Sequence, residues 1–321
     1  MSLSRRGFMT STVFAGMVAT SNPQPASAAA PFSTALVPRA IRRKVGAIEV
    51  TALLDGFFQL DTKLFIGLQE EEAAKLAEEA YLPTGLRRAP VSAYLINLGN
   101  KLILIDSGMS GAMGNNLGHI PAALEATGVQ PGQIDAILVT HMHADHINGM
   151  LGSDGEALFS NAEFVVSFKE FAFWHDDANM NQAAEEAKKT FIDARRAGAA
   201  YADRTRYING VQDVFPSIRA VPLPGHTPGH TGFLVESEGE KLLIWGDIIH
   251  MAAYQFSNPD ISVVFDSDPK EAVETRKRIL AQVSRDRTMV AGMHMPFPGF
   301  GHVRRENNSY RYVPAEWSYE P

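Results

Sequence analysis

The hexapeptide His141-Met142-His143-Ala144-Asp145-His146 constrains this 321-residue chain more than any other stretch. It follows directly on residues 134–140, an apolar run rich in β-branched side chains (Ile134, Ile137, Val139, Thr140) that predicts a buried strand. Side chains on extended backbone alternate with period two, so His141 and His143 point to the same side. Three imidazoles and a carboxylate at a strand tip suit zinc and its first-row neighbours. Three further candidates each follow an apolar run: His226 after 218–223, Asp247 after 242–245 and His294 after 288–291. Seven donors at four strand ends can form two adjacent metal sites sharing one carboxylate. Two divalent ions so placed would bridge a water, lower its pKa and polarise a substrate oxygen.

The rest of the chain reads as strands and helices that could carry those tips. The first strand is expected around 45–54, preceded by a linker at 31–44, and the pair 91–98 and 101–105 reads as a hairpin turned at Gly99-Asn100. Helices are expected over 69–81, 116–127, 180–196 and 269–283, with further strands at 163–168, 218–223, 232–236, 241–245 and 288–291. Strand pairs separated by helices in two similar halves predict an α/β sandwich, two sheets face to face with helices outside. The apolar stretch 64–68, with Leu64 and Phe65, is either core packing or a loop at the mouth of an apolar pocket.

Charge and composition exclude several partners. The formal charge of −7 argues against nucleic acid, which wants a basic surface. No apolar run reaches the roughly 18 residues that span a bilayer. Residues 1–30 read as an export signal: Arg5-Arg6-Gly7-Phe8, a mild apolar stretch at 13–19, then small residues at 26–30. The paired arginines resemble a twin-arginine signal, so a periplasmic or secreted protein without stable membrane association after cleavage is expected. The chain has no cysteine, which removes disulfides and thiolate chemistry alike.

At its ligand residues the chain resembles the metallo-β-lactamase superfamily, whose metal motif is H-x-H-x-D-H plus a distant His, Asp and His. Residues 224–231 (PGHTPGHT) and 104–108 (LIDSG) match further signatures. Within that superfamily it is similar to methyl parathion hydrolases and their lactonase relatives over roughly 45–317, including 252–256 (AAYQF), 266–268 (DSD) and 301–304 (GHVR). The resemblance implies the αββα sandwich over 45–321, one ion on His141, His143, His226 and Asp247, and a second on Asp145, His146, Asp247 and His294. Zinc is the expected ion, with manganese, cobalt, iron or cadmium compatible. Asp106 would orient the ligand loop, or simply close a turn at its strand end. His119, His175, His230 and His302 match no ligand position.

The resemblance also implies a substrate pocket and a dimer. Trp174 and Phe191 fall where methyl parathion hydrolases line their leaving-group pocket, or are ordinary core aromatics. Met113 stands where those enzymes carry an aromatic, and Leu64 where they carry Arg. His250 stands where phosphotriesterases carry Leu and homoserine lactonases Tyr, so it could donate to a developing oxyanion or serve only as a wall. Asp145, Asp247 and His250 are thus the candidate catalytic residues. The expected function is dinuclear hydrolysis of lactones, aryl lactones such as dihydrocoumarin with acyl-homoserine lactones as a second class, and promiscuous phosphotriesterase activity. The rival is a true organophosphate hydrolase; a metal-binding protein without catalysis is a remote third. Antibiotic β-lactam hydrolysis is disfavoured because Asp247 stands where dizinc β-lactamases usually carry Cys. A homodimer is implied by the resemblance alone.

Overall fold

Period-two alternation sorts the apolar residues of each strand between two cores in the computed structural model, which describes residues 39–83, 85–109 and 116–317. The first sheet runs β1 (Ala40–Val45), β2 (Ile48–Leu60), β4 (Arg87–Asn97), β5 (Leu102–Ile105), β6 (Ala136–Leu138), β7 (Glu163–Ser167) and β8 (Thr205–Ile208). It is antiparallel as far as β5 and parallel from β5 to β8. The second runs β16 (Ser309–Pro314), β15 (Gly301–Glu306), β14 (Met289–Ala291), β12 (Glu240–Ile244), β11 (Thr231–Ser237), β10 (Ile218–Pro222) and β9 (Gln212–Phe215). Tyr94, Ile96, Ile103, Ile105, Leu138 and Val165 meet Phe233, Val235, Leu242, Ile244 and Ala291 between the sheets. The alternate residues Ala93, Leu95, Leu104, Ile137, Phe164 and Val166 face outward onto helices α2 (Ile120–Ala126), α4 (Phe168–His175) and α6 (Glu185–Ala200). Leu243 and Val290 face α8 (Pro269–Asp286) on the other side. This is the expected αββα sandwich.

Strand direction collects the functional residues at one edge. In the second sheet β10 and β12 are both antiparallel to β11, and β14 is parallel to β12, so their C-terminal ends lie together. His226, Asp247 and His294 follow those three ends. In the first sheet β5 and β6 are parallel, so Asp106 and His141 are delivered side by side. The short helix α3 (Ala144–Ile147) then carries Asp145 and His146.

Several boundaries differ from the sequence reading, each for a local reason. The expected strand at 45–54 is two strands: Gly46, at φ 55° and with Ser237 where a side chain would start, turns β1 back onto β2. Ala40 to Lys44 therefore belongs to the sheet and not to the linker. Most of that linker and the signal at 1–30 lie outside the described residues. Only Ile120–Ala126 of the helix expected at 116–127 is helical. Before it, the buried Asp55 carboxylate accepts from the backbone N–H of Met109, Gly118, His119 and Ile120 at 2.7–3.1 Å. The helix expected at 180–196 is broken into α5 (Asp177–Gln182) and α6, because Ala183 and Ala184 are extended. Phe65 is core: it sits in β3 (Phe65–Ile66), pairs with β13 (Ser262–Val263), and packs edge-on against Tyr254 at 5.2 Å. Two remaining helices, α1 (Glu70–Glu79) and α7 (Ala252–Gln255), flank that ribbon. Among the described residues, no helix is long and apolar enough to cross a membrane.

Candidate metal centre

Three imidazole nitrogens from two sheets meet without any acceptor between them. His141 Nε2 lies 3.0 Å from His143 Nδ1, and His226 Nε2 lies 3.2 and 3.0 Å from the two of them. Neutral imidazoles cannot all hydrogen-bond around such a triangle, and their lone pairs repel. Tetrahedral zinc with nitrogen ligands at about 2.0–2.1 Å spaces those ligands by about 3.3–3.4 Å, close to the spacing found. The remaining donors form a second group, with Asp145 Oδ2 3.4 Å from both His146 Nε2 and His294 Nε2. Asp247 joins the groups: its Oδ2 is 3.1 Å from His294, 3.4 Å from His146 and His226, and 3.7 Å from His141. Asp247 Oδ1 and His146 Nε2 are buried with no hydrogen-bond partner. Buried orphan groups of this kind are costly, and two cations would satisfy all of them. The imidazole and carboxylate set fits divalent first-row ions.

Four of the five imidazoles in these groups are oriented from behind by hydrogen bonds. His146 Nδ1–H donates to Asp106 Oδ2 at 2.7 Å, so Asp106 is within reach of the role the sequence suggested for it. Thr140 donates to the same carboxylate through its backbone N–H and its hydroxyl, both at 2.7 Å, and its Oγ1 accepts from His141 Nδ1–H at 3.1 Å. His226 Nδ1–H donates to Asp266 Oδ1 at 2.8 Å, and His294 Nδ1–H to the Pro90 carbonyl at 2.7 Å. These bonds place the fixed proton of His141, His146, His226 and His294 on Nδ1 and turn Nε2 inward, the orientation a metal needs. His230, which matched no ligand position, braces the backbone: its Nε2 accepts from the Asp247 N–H at 3.0 Å while Nδ1–H donates to the Leu223 carbonyl.

Electrostatics divides the two groups. Burial, then the neighbouring imidazoles, holds His141 and His143 well below the usual imidazole range, so they are neutral donors. Burial opposes charge at His146 and His294 too. There Asp247 and Asp145 outweigh it, raising His146 well above the ordinary value and His294 to about 8. Protons on those rings occupy the position in which a cation would neutralise the same carboxylates, so protons and metal compete there.

Above the donors lies a cavity of about 280 Å³ walled by Phe58, Leu60, Ala89, Ala144, Thr190 and Phe265, with His143, Asp145, Asp247, His250 and His294 at its base. A larger hollow of about 570 Å³, beside α8 and β12, touches none of the donors. His250 is buried, with its Nε2 3.2 Å from Asp247 Oδ2, its ring stacked on His294 at 5.4 Å, and neither nitrogen hydrogen-bonded. Burial pushes its pKa down to about 4, against the pull of Asp247.

The pocket reading from sequence needs correction. Trp174 and Phe191 are not among the residues that line the cavity; they pack edge-to-face at 4.7 Å in the outer core, with Trp174 edge-on to His143 at 5.5 Å. Leu64 and Phe65 pack in the ribbon cluster instead, Phe65 paired with Val263 of β13 and Leu64 in the turn just before β3. Met113 lies outside the described residues. The sequence reading missed Phe58, Leu60 and Phe265 as walls, and Asp266 as the acceptor behind His226. Asp266 alone carried a signal, within the DSD triplet.

The Metallo-beta-lactamase superfamily profile matches residues 86–294. The N-acyl homoserine lactonase of Bacillus thuringiensis is 25% identical over 256 residues, covering 73% of this chain and 90% of the relative. Among solved structures, the hydrolase AbOPH in the beta lactamase superfamily is 33% identical with a TM-score of 0.83, covering 88% of this chain and all of that one. AidC, a dizinc quorum-quenching lactonase in complex with a product, has the same TM-score and coverage at 22% identity, a likeness of fold.

Proposed function

This chain belongs to the metallo-β-lactamase superfamily and is a metal-dependent hydrolase, and from that premise we propose that it is a dinuclear enzyme that opens lactones. His141, His143, His226 and Asp247 would hold one ion, zinc by preference. Asp145, His146, His294 and Asp247 would hold the other. When bound, such a pair supplies a water nucleophile at neutral pH and polarises the substrate oxygen. Water oxygen then bonds to the acyl carbon, the ring C–O bond breaks, and the departing oxygen takes up a proton.

The protein's own part is to admit, orient and desolvate. No Lys or Arg is found among the residues described as lining the cavity. Anionic substrates, such as a β-lactam carboxylate or a glutathione thioester, would therefore find no Lys or Arg beside the metal centre to hold a remote carboxylate, whereas a neutral lactone with an apolar substituent fits the Phe58, Leu60 and Phe265 walls. His250 carries the reading. Its depressed pKa keeps it neutral at pH 7, and its unpartnered ring at the cavity base can donate one N–H to the substrate carbonyl as negative charge develops on it.

Phosphotriester hydrolysis is the second reading, since a phosphotriester is also neutral and the walls accept it. Parallel kinetics on dihydrocoumarin, an acyl-homoserine lactone, methyl paraoxon and a cephalosporin, with metal content measured on the same preparation, separates these readings. A higher kcat/KM for methyl paraoxon than for both lactones would overturn the lactonase assignment. Export through the twin-arginine signal and a homodimer complete the proposal, on the basis of Arg5-Arg6 and the sequence resemblance respectively.

A further inference from the structure

We propose that Glu170, on a helix that carries none of the ligands, is a positioning residue for the three-imidazole half of the metal centre. The proposal rests on the metal-centre reading above. Glu170 lies in α4 and is fully buried. Its Oε1 accepts from the Met142 N–H at 2.9 Å and from the Trp174 indole N–H at 2.6 Å. Its Oε2 accepts from the Thr227 hydroxyl at 2.6 Å and from the Gly229 N–H at 2.9 Å. Met142 separates His141 from His143, and Thr227 follows His226. One carboxylate therefore ties a loop of the first sheet to a loop of the second, and the three nitrogens that face one another belong to those two loops.

The contact leaves little slack. A Cβ on Gly229 would collide with the Glu170 backbone, so the second loop lies directly on the start of α4. The indole that donates to Glu170 also presses its edge on His143, which gives Trp174 a place in this support instead of in the cavity wall. The other half of the centre is held independently, His146 by Asp106 and His294 by the Pro90 carbonyl. Loss of Glu170 should therefore weaken one ion and spare the other.

Glu170→Gln tests this. Each carboxylate oxygen accepts one backbone N–H, so an amide, whichever way it turns, sets its own N–H₂ against either Met142 or Gly229. Protein stripped with chelator is titrated with Co²⁺, following the visible absorption and the bound metal by elemental analysis, beside wild type and His226→Ala. Removing a partner behind a ligand typically lowers metal affinity about 10- to 100-fold. That loss is expected for one of the two ions only, with the spectrum shifting towards that of His226→Ala. Wild-type affinity and spectrum for both ions would overturn the proposal. So would equal weakening of both together with a lower melting temperature of the metal-free protein, the behaviour of a general prop. If Glu170→Gln does not fold, Thr227→Val removes a single donor and should shift the same ion less, and no shift there overturns the proposal equally. A wild type that binds no cobalt would instead overturn the metal centre itself, and this inference with it.

Discussion

Replacing His250 by Leu separates lactone from phosphotriester chemistry more sharply than any other single change. The imidazole is buried at the cavity base and neither ring nitrogen bonds to protein, so the substitution orphans no partner. The backbone stays in place, because the His250 and Met251 N–H groups both donate to Gln255 Oε1, at 2.7 and 3.2 Å. Folding stability should then fall by no more than about 3 kcal/mol, the usual range for a single substitution. A well-placed donor to a developing oxyanion is worth on the order of 10²–10³ in rate. The seven candidate donor side chains are untouched, so under the proposed mechanism carbonyl polarisation would survive, and kcat/KM for dihydrocoumarin should fall nearer ten- to a hundredfold, about 1.4–2.7 kcal/mol of transition-state stabilisation. Hydrolysis of methyl paraoxon should hold or rise, because an apolar side chain replaces a polar ring beside Phe265, 5.1 Å away. The assay is kcat/KM for both substrates on one preparation, with metal content. Equal falls with metal intact would refute the reasoning and leave His250 as a wall residue.

The purified protein should carry two divalent ions per chain. Asp247→Ala should lose at least one of them and nearly all activity, and a fully active sample with a single ion per chain would refute the dinuclear reading. Asp266→Ala removes the acceptor of His226 Nδ1–H and should weaken metal affinity about 10- to 100-fold, which competition with a chromogenic chelator measures; unchanged affinity would show that the Nδ1 bond does not matter. Changing Arg5 and Arg6 both to Lys should leave an uncleaved precursor in the cytoplasm, visible by fractionation and immunoblot, whereas unaltered export would point to another route.

The donors and the fold class were legible in the sequence because they are local facts. Each donor stands directly after an apolar run, and a strand's period-two pattern says which residues it buries, so His141, His226, Asp247 and His294 identify themselves as strand tips without any knowledge of pairing. What holds them is not local. Glu170 lies 28 residues from Met142 and 57 from Thr227 in the chain, and its meaning arises only when two sheets stack beneath α4. Asp266 reaches His226 across 40 residues in the same way. The cavity was read least well for the same reason. Trp174 and Phe191 are aromatic and near the donors, but the packing of α4 against α6 places them behind His143 and not above it. Phe58, Leu60 and Phe265, which form the walls, come from β2 and from the segment after β13, and sequence spacing gives no sign that those segments meet. An ordered row of residues determines what each strand can present; only the register and stacking of the strands decide what it is presented to.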